Sequence, residues 1–251
     1  MSFFKLFKKK PKVDYVSLDL SHLKLDFHSH LLPGLDDGVT SFKESIDIIK
    51  VFVKSGYQKI ITTPHIMNDF YKNDINVIGE KCEELRSLLK DNGIDIEIDY
   101  SAEYYFDEHF MDLYEKNEIR TFGNKHFLFE LSYFNEPKGV RDFVFRAKND
   151  GYTPILAHPE RYPYWSDDYN IFRDLKASGC EFQININSLA GLYSEGPKRV
   201  AEGFIEHGLI DYLATDCHRI DHIKLSKRTK IKKHLYEMLL NNNMLKNDSL
   251  F

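Results

Sequence analysis

Seven times along this chain an apolar, strand-like run gives way to an amphipathic, helix-like run, and that alternation limits the fold more than any other feature. Strand-like stretches fall at residues 24–27, 59–63, 94–100, 126–131, 153–157, 181–186 and 212–214. Helix-like stretches follow from about residue 42, then at 76–91, 107–116, 140–149, 169–177, 199–207 and 223–241. The first helix opens with the capping-box pattern Ser41-x-x-Glu44 and closes at Gly56. Gly93, Gly151, Gly179 and Gly208 close four others. Repeated strand–helix units imply a parallel sheet, and seven of them suit a closed or nearly closed TIM-like barrel. The competing layout is an open, doubly wound sheet. No Gly-x-Gly-x-x-Gly or Walker-type loop follows a strand, which counts against the nucleotide-binding versions.

The length of 251 residues is ample for one large α/β domain. A net charge of -5 argues against a nucleic-acid partner. No 18-residue apolar run predicts a spanning helix, and the N-terminus lacks the apolar core of a signal peptide. Cys82, Cys180 and Cys217 are few, odd in number and widely spaced. That usage fits a reducing compartment, so a cytoplasmic location is expected. Residues 1–20 read as a basic N-terminal tail. Its opening MSFFKLFKKKPK interleaves five lysines with Phe3, Phe4, Leu6 and Phe7. A solvated tail is the plainer reading, and weak contact with an anionic membrane surface is the alternative.

The chemistry-bearing residues gather at the C-terminal ends of the strand-like runs, where barrels of parallel strands carry their active sites. The first run ends in His28-x-His30, whose rings point the same way on a strand, followed by Asp36 and Asp37. The second gives Thr62-Thr63-Pro64-His65, the third Ser101-Ala102-Glu103, and the fourth Phe129-Glu130-Leu131. The fifth gives Ala157-His158-Pro159-Glu160-Arg161, and the seventh Thr215-Asp216-Cys217-His218-Arg219. The sixth ends in the neutral Asn185 and Asn187. Each residue alone has a structural explanation; six strands delivering His, Asp or Glu to one rim point jointly to metal binding. Mixed imidazole and carboxylate ligands suit Zn, Mn or Fe, and the number of candidates implies two or three ions. Three divalent ions would outweigh the carboxylates of Asp37, Glu103, Glu130 and Asp216, leaving a positive pocket suited to phosphate. Paired metals can activate water and clamp both oxygens of an in-line displacement.

The order His28-x-His30, Asp36-Asp37-Gly38, His65, Glu103, Glu130, His158, Asp216-x-His218 resembles the PHP (polymerase and histidinol phosphatase) superfamily. Within it, HSHLLPGLDDG, TTPH, AEYY, FELS, AHPERY and ATDCH resemble the capsule-type bacterial tyrosine phosphatases, over about residues 26–218. The resemblance implies a PHP-type distorted TIM-like (β/α)7 barrel, a single metallophosphatase domain over 21–251, and a site usually associated with manganese (Fe, Zn or Co being the other ions considered). It implies hydrolysis of phosphotyrosine by metal-bound hydroxide, the usual substrate being a membrane tyrosine autokinase that controls polysaccharide export. Carried over by position, His28 and His30 would bind a first ion with Glu103 and Asp216. Glu103 would bridge to a second ion held by Glu130 and His158. The third would take Asp37, His65 and His218, with Asp36 the rival to Asp37 on spacing. Arg161 matches a phosphate-binding arginine. The family's second arginine has no counterpart at the expected place, where Arg219 and Lys224 are the nearby cations. A lysine cannot reproduce a bidentate guanidinium contact.

Two other functions compete. One is a small-molecule phosphomonoesterase of the same superfamily, such as a histidinol phosphatase. The other is an inactive metal-binding scaffold, against which the intact ligand set argues. A cysteine-based phosphatase needs Cys-x5-Arg, and the residues six after Cys82, Cys180 and Cys217 are Leu88, Ile186 and Ile223. Aromatics beside the candidate ligands (Tyr104, Tyr105, Phe106, Tyr133, Phe134, Tyr162, Tyr164) are expected either to pack in the core or to stack on an aryl leaving group.

Overall fold

The computed structural model describes residues 13–166, 168–241 and 243–250. In chain order the elements are β1 (Tyr15–Ser17), β2 (Leu25–Asp26), α1 (Phe42–Lys54), β3 (Lys59–Thr62), β4 (His65–Ile66), α2 (Ile75–Asp91) and β5 (Glu97–Tyr100). There follow β6 (Glu103–Tyr105), α3 (Glu108–Glu115), β7 (His126–Glu130), α4 (Val140–Asn149), β8 (Thr153–Ala157) and α5 (Tyr169–Ala177). The last third holds β9 (Glu181–Asn185), α6 (Ile186–Leu189), α7 (Glu195–Glu206), β10 (Tyr212–Ala214), α8 (Ile220–Ser226), β11 (Lys230–Lys232) and α9 (Lys233–Asn241).

Two parallel sheets, ordered β2-β3-β5 and β10-β9-β8-β7-β6-β4, together make one barrel. β3 and β4 are a single staff broken at Thr63-Pro64, where proline has no N–H to give the ladder. β5 and β6 are likewise broken at Ser101-Ala102. Hydrogen bonds from Ser101 N–H to Thr62 O and from Glu103 N–H to Pro64 O carry the pairing across both breaks. The ring closes where Ser29 bridges Cys217 in parallel. Seven staves and their helices give the expected (β/α)7 barrel.

An inner cluster that includes Leu25, Phe27, Ile61, Leu128, Ile155 and Tyr212 fills the barrel. Phe122 and Leu250 join it, and Asn247 ties the C-terminal turn to Leu25 O and Leu213 O. The larger core lies between staves and helices, and includes Phe52, Phe110, Phe127, Phe172 and Phe204.

The C-terminal region departs from the continuous helix expected over 223–241. α8 stops at Ser226, whose hydroxyl donates to Asn187 Oδ1. β11 then pairs antiparallel with β1, setting Val16 opposite Ile231. Ile231 is buried there, so tertiary pairing overrides the helical pattern. β1 itself lies within the stretch expected as an N-terminal tail. Residues 1–12, on which the membrane-contact expectation falls, lie outside the described residues. α7 starts at Glu195 rather than near 199, because Pro197 sits in its first turn, where a missing N–H costs nothing. Among the described residues no helix is long and apolar enough to cross a membrane.

Candidate metal centre

Strand register builds the rim. At the seam, His30 N–H donates to Cys217 O (2.9 Å) and Asp216 N–H donates to His28 O (2.8 Å). Neighbouring residues on a strand alternate faces, so His28, His30, Asp216 and His218 turn inward together. Cys217 turns the other way, into the outer core. Across the broken staves, His65 lies opposite Glu103, and Tyr105 opposite Glu130. His158 and Asp216 both adopt left-handed backbone, with φ of 34° and 49°. That conformation costs roughly 1–3 kcal/mol in a non-glycine residue and tends to collect at functional sites.

Ligand atoms within 4.8 Å of one another form four overlapping groups: His30, Asp37, His65 and His218; His28, His30 and Asp216; His28, Glu103 and His158; His65, Glu103 and Glu130. Together they contain the nine residues singled out in the sequence. Glu103 is the hub, its oxygens 3.0 Å from His28 Nε2, 3.3 Å from His30 Nε2, 3.2 Å from His65 Nδ1 and 2.9 Å from His158 Nε2. Asp37, His65 and His218 lie together, as the resemblance implies. Glu130 sits closer to His65 (3.0 Å) than to His158 (4.0 Å), so the implied Glu103–Glu130–His158 grouping is looser than the others. The donors fit cations. His30 Nε2, His65 Nδ1 and Glu130 Oε1 are buried and, though oppositely charged groups lie 3.0–3.3 Å away, none makes a bond of hydrogen-bond geometry, which leaves these atoms open to a cation.

Charge alternates through the cluster. Burial opposes charging His65, but Glu130 and then Glu103 outweigh it and raise the imidazole to about 9. Burial likewise opposes ionising Glu103, yet His28 and His65 hold it well below the usual carboxylate range. Asp216 is depressed against burial by His28 and His218. For His158 burial wins and the pKa falls. Imidazoles ligate in the neutral form, so metal binding here must release protons.

Behind the ligands lies a layer of orienting groups. Asp36 Oδ2 accepts from His30 Nδ1 (2.7 Å) and from His65 N–H (3.0 Å), while Oδ1 accepts from Gly38 N–H. Its carboxylate is thus engaged in orientation, and the half-exposed Asp37 is the one that faces His65 and His218. On the opposite wall, Gln183 Oε1 accepts from His28 Nδ1 (2.8 Å) and His158 N–H (3.3 Å). Gln183 Nε2 donates to Asn185 Oδ1 (2.8 Å), and Asn185 Nδ2 donates to Asp216 Oδ2 (2.7 Å). A backbone N–H at one end and a carboxylate at the other fix both amide orientations. In its neutral, ligating form His28 therefore carries its proton on Nδ1 and presents the Nε2 lone pair to the cluster. Gln183 was not anticipated, although a polar residue two before Asn185, on the same face of the strand, was a usable hint.

Above the ligands opens a cleft of about 450 Å³. Arg161 reaches it from the turn after β8, with Nη1 3.2 Å from Asp216 Oδ2. Its guanidinium is held between the Tyr133 ring (4.8 Å) and the Tyr193 ring (4.2 Å). Arg219 also lines the cleft, its Nε donating to His222 Nε2 (2.8 Å). Lys224, the other cation considered, points to solvent and is absent from the lining. Of the aromatics flagged in the sequence, Tyr105, Tyr133 and Phe134 line the cleft. Tyr104 and Tyr162 are buried, and Phe106 and Tyr164 pack against the core. Tyr71, stacked on His65 at 5.5 Å, and Tyr193 were missed because both lie on loops without periodic pattern. All three cysteines are buried and free.

Residues 24–247 match the family model for capsular polysaccharide synthesis, CpsB/CapC. Tyrosine-protein phosphatase YwqE of Bacillus subtilis is 28% identical over 197 residues, covering 78% of each chain. Tyrosine-protein phosphatase CpsB of Streptococcus pneumoniae is 28% identical over 203 residues, covering 78% of this chain and 84% of that one. A crystal structure from a study of YwqE and CpsB, described there as unique metal-dependent tyrosine phosphatases, superposes with a TM-score of 0.77 at 25% identity. It covers 88% of this chain and 89% of that one. A histidinol phosphate phosphatase from Lactococcus lactis shares the fold at TM-score 0.52 and 15% identity, over 87% of this chain and 92% of that one.

Proposed function

The chain belongs to the capsular polysaccharide synthesis family CpsB/CapC, and from that premise we propose that it is a metal-dependent protein-tyrosine phosphatase. One observation carries the reading: of the nine potential ligands seven line a cleft, with His28 and His30 buried among the same groups, and the Arg161 guanidinium and several tyrosine rings line it too. His28, His30, Glu103 and Asp216 would hold one ion. Glu103, Glu130 and His158 would serve a second, and Asp37, His65 and His218 a third. Bound divalent metals, manganese foremost, supply Lewis acidity toward a phosphoryl oxygen and a more acidic water.

The chain's own residues do the rest. Arg161 spends one Nη1 contact on Asp216 and has a quarter of its side chain exposed, leaving N–H groups for phosphoryl oxygens. Arg219, which also lines the cleft, is the second cation available to the phosphate. Tyr71, Tyr105 and Tyr133 offer faces against which a phenyl leaving group can stack. Gln183 and Asn185 keep His28 and Asp216 aimed at the cluster. The physiological substrate in this reading is a phosphotyrosine protein, a membrane tyrosine autokinase of capsule or exopolysaccharide synthesis, met by one cytoplasmic domain spanning 21–251.

The test is turnover of four substrates by protein stripped with chelator and reloaded with Mn or Mg. The substrates are a phosphotyrosine peptide, a phosphoserine peptide, histidinol phosphate and a small aryl phosphate. Chelation should abolish turnover, and Mn should restore more than Mg. Phosphotyrosine should lead both alkyl phosphates in kcat/KM. Full activity without metal would end the metal-centred reading; preference for histidinol phosphate would end the tyrosine assignment and leave the metal centre standing.

A further inference from the structure

Among the described residues, the two most exposed large apolar side chains are Phe134 at 90% and Phe70 at 78%. Both line the cleft above the candidate metal ligands, although they follow different staves and sit 64 positions apart in the chain. The next most exposed, Phe145 at 59%, is on α4 and outside that lining.

Neither ring sits on a loose loop. Phe70 tips a tight turn pinned by reciprocal backbone bonds between Met67 and Tyr71 (2.9 and 3.0 Å). Asn68 N–H anchors that turn to Asp107 Oδ2 (3.1 Å), and the Asn73 side chain ties its base to Leu35 O and His65 O. Phe134 follows Ser132, whose Oγ accepts from Phe134 N–H (3.2 Å) and Asn135 N–H (3.4 Å). Tyr164 OH holds Ser132 O from below (2.7 Å). The backbones are fixed and the rings are left in water. Apolar groups held rigidly at the mouth of a site, with no packing partner in their own chain, are the usual mark of a recognition surface.

We propose that Phe70 and Phe134 form an aromatic jaw that grips the apolar residues flanking the phosphotyrosine in an extended peptide segment. The proposal rests on the phosphatase reading and adds selection by peptide context to it. The occupant follows from position. The floor of the cleft offers ligands and Arg161 to the phosphate, and Tyr105 and Tyr133 lie nearer to it beside Glu130 and His158. The two phenylalanines stand farther out, in solvent, where only chain on either side of the modified tyrosine would reach. A small aryl phosphate has nothing to present there.

The experiment compares the parent protein with F70S, F134S and F70S/F134S, reloaded with Mn. Three substrates are used: p-nitrophenyl phosphate, a phosphotyrosine peptide with Leu and Val flanks, and the same peptide with Gly and Ser flanks. The ratio of kcat/KM for the apolar-flanked peptide to that for p-nitrophenyl phosphate should fall about tenfold in the double variant. The fall should come through KM, with F70W/F134W restoring the ratio. Anisotropy of the labelled apolar-flanked peptide on metal-loaded protein reads the same difference without turnover. An unchanged ratio, or an equal fall for both peptides, would overturn the jaw. A parent that hydrolyses none of the three, yet binds the apolar-flanked peptide in a Phe-dependent way, would refute the phosphatase reading and leave the jaw intact.

Discussion

Replacing Gln183 by Met keeps the volume of this fully buried side chain and removes its polar atoms. Three partners are stranded: the His28 Nδ1 proton, the His158 N–H and Asn185 Oδ1. At the lower end of the roughly 1–3 kcal/mol range for an unsatisfied buried group, the fold loses about 3 kcal/mol. A second effect falls on metal affinity. With its Nδ1 acceptor gone, His28 is free to rotate or to place its proton on Nε2, the atom that faces Glu103 and Asp216. Outer partners of ligating histidines typically contribute roughly 10–100-fold in affinity, and a drop of that size is expected here. Denaturant unfolding of metal-free protein measures the first effect, and calorimetric titration with Mn the second. Gln183→Glu separates them: its carboxylate still accepts from His28 and His158 but cannot donate to Asn185. It should bind metal more tightly than the Met variant does. A Met variant that binds Mn as tightly as the parent, or a Glu variant equally impaired, would refute the assigned tautomer.

Arg161→Lys should lower kcat/KM for phosphotyrosine peptide by roughly 10²-fold, since an ammonium can neither fork onto a phosphate nor lie flat between Tyr133 and Tyr193; steady-state kinetics at fixed Mn, with metal content verified, decides it. Changing Cys82, Cys180 and Cys217 together to Ser should leave most turnover intact. Burial pushes the Cys82 thiol up to about 12 and raises Cys180 and Cys217 as well, so thiol-directed reagents should not inactivate the native protein. At the opposite end of the barrel, burial pushes the Glu181 carboxyl up, but His126, Lys246 and Tyr212 outweigh it and bring it to about 2. A depressed carboxylate stabilises the fold above its unfolded pKa of about 4.5 and loses that contribution as pH falls toward 2. Glu181→Gln should therefore lower Tm at neutral pH, with the gap to the parent closing between pH 4.5 and 2; a gap constant across that range would contradict the assignment.

The sequence made the barrel legible because each stave is followed by a helix-like run whose apolar face, and in five cases a closing glycine, are local features. α4, β8, α5 and β10 run over the residues expected of them. The second halves of the two broken staves, β4 and β6, were not visible, since two or three residues carry no period. The C-terminal helix was misjudged because Ile231 answers to β1, more than 200 residues away, rather than to its neighbours. The candidate ligands were readable for a related reason: His28-x-His30 and Asp216-x-His218 are short-range patterns, weak alone but telling once they recur at strand ends. Their supports were not. Gln183 meets His28 across 155 positions, and the choice between Asp36 and Asp37 turns on which way each carboxylate points, a matter of rim geometry and not of spacing.

The seam between β2 and β10 has a consequence for how the molecule assembles. Thr215 bonds Asp26 through both its N–H (2.8 Å) and its hydroxyl (3.1 Å), joining positions 189 apart. A chain leaving the ribosome displays His28, His30, His65, Glu103, Glu130 and His158 well before Asp216 and His218 exist. Contacts of such separation form late and slowly, because the entropy of closing the loop must be overcome first. The first and third ions would therefore find their full ligand sets only when the final stave docks, making metal capture the closing act of folding. The same coupling would run in reverse: His28, His30 and Asp216, which come from both lips of the seam, would hold an ion between them, so barrel opening and metal loss would be coupled.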